Sequence, residues 1–175
     1  IDANGYVTTD KSKAVAVILM DKAFSSDDMS NYPEYSDKKI WGYAVALKNI
    51  SDTPLMATLT GATNMSTGIG YANTEEFLSY LAGSPFESAF KEWRENNKIT
   101  NPNITKWYIP SYSQKSYFAT MYEKLILENI LAKEDILYGE KSQYYILSSI
   151  NSILNLRLAF VEENSSGGLT ANDKT

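Results

Sequence analysis

Two side chains are missing altogether: the 175-residue chain contains neither cysteine nor histidine. Without thiols there is no disulfide framework, zinc–thiolate centre, iron–sulfur cluster or cysteine nucleophile. Without imidazole there is no Ser-His-Asp triad, no histidine base and no histidine-held transition metal. Chemistry is left to carboxylates, amines and hydroxyls. Long apolar runs are also scarce. The longest covers residues 14–20, seven positions, against roughly 20 for a membrane-crossing helix. No transmembrane segment is expected. Concentrated positive charge is lacking as well. Lys and Arg number 16 against 21 Asp and Glu, for a net charge of −5, and the basic residues occur singly or in pairs such as Lys38-Lys39. Phosphate neutralisation needs a basic stripe, so nucleic acid is not an expected partner.

The fold-forming pattern that is present divides the chain. Residues 14–20 are rich in β-branched side chains and end at Asp21, which predicts a buried strand. Residues 41–47 alternate large Trp41, Tyr43, Val45 and Leu47 with small Gly42, Ala44 and Ala46, the period of a strand with one filled face. A turn at 49–54 and a strand at 55–60 complete an expected hairpin. Residues 61–73 read as a loop rich in Gly, Thr, Asn and Ser. Thr74 is the expected cap of a helix bearing Phe77, Leu78 and Leu81. Ser84-Pro85 opens a second helix with Phe86, Ala89, Phe90 and Trp93 on one face. Residues 107–112 read as a short strand and turn, 114–132 as a helix, and Tyr144, Leu147, Ile150 and Leu154 as another. Leu156, Leu158 and Phe160 suggest a closing strand. The expected fold is α+β: a mostly antiparallel sheet or sandwich of N-terminal strands and one C-terminal strand, with helices in the second half. Residues 1–163 form a single globular domain, followed by a polar Gly/Ser tail at 164–175.

Motifs with catalytic meaning resolve poorly. The acid pairs are Asp27-Asp28, Glu75-Glu76, Glu134-Asp135 and Glu162-Glu163. Sequence adjacency does not set two carboxylates across a sugar, as glycoside hydrolysis requires. Ser36-Asp-Lys-Lys39 and Ser88-Ala-Phe-Lys91 have Ser-x-x-Lys spacing without the companion Ser-Asp-Asn and Lys-Thr-Gly motifs. Gly68-Ile-Gly70 is not a dinucleotide fingerprint. The acidic stretches 2–5 and 25–39 fall short of EF-hand spacing. Four Asn-x-Ser/Thr tripeptides, at Asn49, Asn64, Asn103 and Asn164, are about what this composition gives by chance. No catalytic residue, cofactor or metal is expected, and the chain is read as not an enzyme.

Aromatic abundance is the positive signal: 13 Tyr, 3 Trp and 6 Phe. Several lie in expected loops, where Tyr and Trp suit protein interfaces and sugar stacking. The expected contact residues are Tyr32, Tyr35, Trp107, Tyr108 and Tyr112, together with Tyr6 and Val7 near the front. The tail at 164–169 has one apolar residue and cannot offset an ordering cost of about 1–2 kcal/mol per residue. Segments 1–9 and 165–175 are therefore expected to engage neighbours. These features point to a non-catalytic extracytoplasmic structural or interaction domain, a subunit of a filament, surface layer or virion-like assembly, with another protein or its own copies as partner. A carbohydrate-binding module and a small carboxylate-dependent hydrolase are the alternatives. The start at Ile1 rather than Met fits a processed, secreted product; a virion or cytoplasmic setting is the alternative. With only hard oxygen ligands on offer, the purified protein should carry no stoichiometric zinc or copper by elemental analysis.

Overall fold

The computed structural model describes residues 1–25, 27–48, 50, 69–111, 114, 144–152, 155–163 and 169–174. The elements are α+β: strand β1 (Ala16–Met20), strand β2 (Tyr43–Ala46), helix α1 (Gly70–Tyr80), helix α2 (Pro85–Asn96) and strands β3 (Tyr144–Ser152), β4 (Asn155–Glu163) and β5 (Leu169–Lys174). Contacts divide the chain into two compact units, Ile1–Thr60 with Leu78–Tyr108, and Gly61–Phe77 with Ile109–Thr175.

In the first unit β1 and β2 pair antiparallel, Ala16 opposite Ala46, Val17 opposite Val45 and Ile18 opposite Ala44. The register slips between Ile18 and Met20, which sets Met20 opposite Tyr43. Gly42 makes the slip feasible, since a Cβ there would lie 2.0 Å from the Met20 carbonyl oxygen. Both strands therefore belong to one sheet, but they are less buried than the sequence suggests. Only Ala16 and Leu19 of β1 are buried, Val17 and Val45 are half-buried, and Ile18 is 42% exposed. The alternation of residues 41–47 puts Trp41 on the filled face. It precedes β2 instead and is 74% exposed. The reason is geometric: β2 is four residues long, and its alternation does not reach Trp41.

Helix α2 follows its sequence signals closely. Ser84 Oγ accepts from Glu87 N at 3.1 Å, Pro85 takes the first helical position, and Glu87 Oε2 accepts from Gly83 N at 2.7 Å. This is a near relative of the capping box. Gly83 has φ of +79°, a left-handed conformation suited to glycine between α1 and α2. Phe86, Phe90 and Trp93 form a stacked row with centroids 6.2 and 6.3 Å apart. Trp107 meets Trp93 edge-on at 5.9 Å and donates its Nε1 hydrogen to Asn97 O at 2.7 Å.

Helix α1, whose residues 70–77 belong to the second unit, begins four residues before the expected cap. Thr74 lies inside it, fully buried, and donates its hydroxyl to Gly70 O at 2.6 Å while accepting from Ile109 N at 3.0 Å. The first-turn amide that a local cap would satisfy is taken by a distant side chain: Gln114 Oε1 accepts from Gly70 N and from Ser111 N, both at 3.0 Å. Residues 107–111, expected as a strand, are irregular. Residues 55–60 and 115–132, expected as strand and helix, lie outside the described residues.

The C-terminal part corrects the sequence reading most. Residues 144–152 form β3, not a helix, and pair antiparallel with β4 through Tyr144–Phe160, Ile146–Leu158 and Ile150–Leu156. The apparent helical spacing of Tyr144, Leu147 and Ile150 competes with a run of Tyr and Ile that favours strand, and cross-strand pairing decides it. Residues 169–174, expected as irregular tail, form β5 against β4 in continuous register from Leu158–Lys174 to Glu163–Leu169. The chain itself thus supplies the partner that this segment needs. Among the described residues no helix is long and apolar enough to cross a membrane.

The unequal faces of β1 give a direct check. Leu19→Ala should destabilise the protein by about 2–5 kcal/mol through lost burial and cavity formation, and Ile18→Ala by under about 1 kcal/mol. Urea unfolding of both variants reads the difference.

Candidate functional site

The loop between β1 and β2 gathers the most concentrated polar chemistry among the described residues. Phe24 O accepts from Asp27 N at 3.1 Å, closing a turn. Asp28 then caps the 3-10 turn Met29–Asn31, its Oδ1 accepting from Ser30 N at 2.8 Å and from the Ser30 hydroxyl. A second 3-10 turn, Pro33–Tyr35, follows directly. These two short turns bring Asn31 and Tyr32 back over Asp27.

Asp27 is 8% exposed. Its Oδ1 accepts from Asn31 Nδ2 at 2.9 Å. Its Oδ2 accepts from the Tyr32 hydroxyl at 2.7 Å and from the Tyr43 hydroxyl at 2.5 Å. Tyr43 comes from β2, so the carboxylate ties the loop to the sheet across 16 positions of sequence. The Tyr43 oxygen also accepts from Phe24 N at 3.2 Å, and the Phe24 and Tyr43 rings stack at 4.1 Å and 16°. A buried carboxylate is tolerated only when its lone pairs are occupied, and here three side-chain donors occupy them. Burial, the neighbouring Tyr108 and the bond to Asp27 hold the Tyr32 hydroxyl well above its usual value. Burial, with the same carboxylate, also raises Tyr43. Exposed Asp28 moves the other way, lowered by its bonds to Ser30.

This arrangement is a closed anchor. The adjacent acids Asp27 and Asp28 are split between a buried node and an exposed turn cap, so they do not face one another across a cleft. Glu75 and Glu76 are both exposed on α1. Glu134-Asp135 lies outside the described residues. Lys91 is engaged by Glu87, Nζ to Oε1 at 2.6 Å, which takes its amine away from a Ser88 pairing. Asp2 Oδ1 accepts from the backbone amides of Asn4 and Tyr6 at 3.0 and 2.9 Å. Among the described residues no group of three or more carboxylates could hold a metal ion.

The expected contact residues separate into two sets. Tyr32 is 4% exposed and belongs to the Asp27 node. Tyr35 and Trp107 are half-buried and bond to backbone carbonyls of one segment, Tyr35 to Ile104 O at 3.5 Å and Trp107 to Asn97 O. Tyr108 is half-buried and lies close enough to Tyr32 and Tyr43 to act on both electrostatically. Tyr112 lies outside the described residues. Tyr6 and Val7 face solvent, 67% and 78% exposed. Sequence reasoning missed two features, Asp27 as a node and Trp41 as a surface group with the Lys39 ammonium 4.6 Å above its ring. The first left a legible signal, an acid followed by Asn and Tyr at the fourth and fifth positions. The second left none.

No family model matches the chain, and the comparisons with curated proteins and with solved structures give no match either.

Removing one donor from the node should leave a buried carboxylate short of a partner. Tyr32→Phe should therefore lower stability by about 1.5–3 kcal/mol in urea unfolding. Tyr32 and Tyr43 should keep their protons where exposed tyrosines ionise, near pH 10. Folded hydroxyls raised above the unfolded value contribute stability that is complete below about pH 10 and falls as pH rises beyond it. Tyrosinate absorbance should accordingly show a late fraction that appears together with unfolding.

Proposed function

We propose that this chain is a non-catalytic interaction domain that works by assembling with further copies of itself or with another protein, in an extracytoplasmic setting. The observation that carries the reading is the contrast between its aromatic groups. Tyr32, Tyr35 and Trp107 spend their polar atoms on internal carboxylate and carbonyl acceptors. Tyr6 and Val7, adjacent in sequence, present large apolar surface to water. A folded chain gains nothing from such a pair on its own surface, whereas a partner that covers it gains the apolar burial. Asp27, the most buried carboxylate among the described residues, already has three donors, which supports an anchoring role over an acid–base one.

Trp41 favours a second reading, a sugar-stacking surface, because it is exposed and one face is free of the Lys39 ammonium. The two readings predict different outcomes. In sedimentation equilibrium, Tyr6→Ser combined with Val7→Ser should weaken self-association by about tenfold or more, as loss of an apolar anchor does, and Trp41→Ala should leave it unchanged. A parent chain that stays monomeric at millimolar concentration, with glycan binding abolished by Trp41→Ala, would replace assembly with the sugar reading.

A further inference from the structure

Residues 2–6 close into a clasp of four hydrogen bonds. Asp2 N donates to Tyr6 O and Tyr6 N donates to Asp2 Oδ1, both at 2.9 Å. Asn4 N donates to the same Asp2 oxygen at 3.0 Å, and Gly5 N donates to Asp2 O at 2.9 Å. The backbone turns at Gly5, whose φ is +82°. A Cβ on Gly5 would lie 2.5 Å from Asn101 Cβ and 2.9 Å from Ile104 Cδ1, so conformation and packing both demand glycine there. That demand sets a glycine directly after Asn4, in the only Asn-Gly pair of the sequence. Asn4 is exposed, and its side-chain amide is engaged by no described residue. By contrast, Asn31 and Asn97 commit their side-chain nitrogens to Asp27 Oδ1 and Trp93 O, and Asn73 is buried in α1.

We propose that Asn4 is a site of spontaneous deamidation, with the Asp2 clasp as its gate. Gly5 N, having given its proton to solvent hydroxide, attacks Asn4 Cγ. The new N–Cγ bond closes a succinimide ring. The Cγ–Nδ2 bond breaks, and the nitrogen leaves as ammonia after taking a proton from water. A second water opens the ring at either carbonyl. One opening leaves aspartate at position 4; the other leaves isoaspartate, with the backbone routed through Cβ. No oxidant or reductant takes part. Glycine favours closure because no Cβ crowds the attacking nitrogen. The bond from Gly5 N to Asp2 O opposes it, because a hydrogen-bonded amide holds its proton. Timescale decides between these effects. The clasp is local and its turn is exposed, so it opens at little cost and on the nanosecond-to-microsecond scale of loops. Ring closure is far slower, so its rate is the intrinsic Asn-Gly rate multiplied by the open fraction of the clasp. The isoaspartate product inserts one further C–C bond of about 1.5 Å between Asp2 and Tyr6. The four bonds of the clasp do not survive that insertion together, and the turn loosens where Gly5 packs on Asn101 and Ile104.

The full chain is held in warm, mildly alkaline buffer and sampled over time by peptide mapping with mass spectrometry, aspartate and isoaspartate products being separated by retention. The expected result is conversion at position 4 before any other asparagine, isoaspartate as the larger product, and a rate that rises with pH. An Asn4 that stays intact while another asparagine converts would overturn the site. The gate is read with Asp2→Ala, which removes the acceptor of the Asn4 and Tyr6 amides. Conversion at Asn4 should then run several-fold faster while deuterium exchange at Phe86 and Phe90 in α2 stays parental. An unchanged rate, or a rise accompanied by fast exchange throughout α2, would overturn the gate. In the purified isoaspartate form the Tyr6 amide should exchange several-fold faster than in the parent, and equal exchange would overturn the loosening.

Discussion

The first unit depends on one buried charge. Asp27 places a carboxylate beneath the loop between β1 and β2, and its two oxygens draw in Asn31, Tyr32 and Tyr43. Four chain positions become mutually fixed, and the only strand pair of that unit among the described residues is tied to the loop that joins it. β1 and β2 are short, five and four residues, and a two-stranded ribbon of this length is marginal alone. The Phe24–Tyr43 stack and the carboxylate bonds add what the ribbon lacks. Leaving any one donor out exposes the asymmetry of buried polar groups, which stabilise modestly when satisfied and destabilise strongly when not.

That anchor also explains how the aromatic residues divide. Tyrosine is amphipathic, so loop tyrosines can serve either an interface or a buried acid. Tyr32 and Tyr43 serve the acid, and Tyr35 and Trp107 secure the segment from Asn97 to Ile104. Gly5 packs against that same segment, and Tyr6 and Val7 follow it exposed to solvent. Among the described residues the most exposed large apolar side chains are Val7, Trp41 and Tyr6, with Ile18 and Leu47 partly uncovered on the β1–β2 ribbon.

Local signals were legible where local chemistry decides. Helix α2 was readable from Ser84, Pro85 and the Phe86–Phe90–Trp93 spacing, and the two N-terminal strands from β-branching and alternation. Signals failed where a distant residue decides. The start of α1 at Gly70 depends on Gln114, 44 positions away, and no local pattern announces that. Strand β3 carries a spacing that also fits a helix, and only its pairing with β4 resolves it. The same pairing logic converts residues 169–174 from a polar tail to β5. The Asp27 node stands between these cases. Its Asn31 and Tyr32 partners are local, and Tyr43 arrives through the register slip that Gly42 permits.

We propose that a carboxylate-anchored unit presents Tyr6 and Val7, exposed on the isolated chain, for another chain to cover. Hydrogen–deuterium exchange measured across a dilution series tests both halves together. The account predicts that the amides of Phe24 and Asp27 are protected at every concentration, whereas those of Val7, Thr8 and Thr9 gain protection as the protein is concentrated. Amides of Val7, Thr8 and Thr9 that exchange at one rate throughout the series, or Phe24 and Asp27 amides that exchange as fast as an open loop, would contradict it.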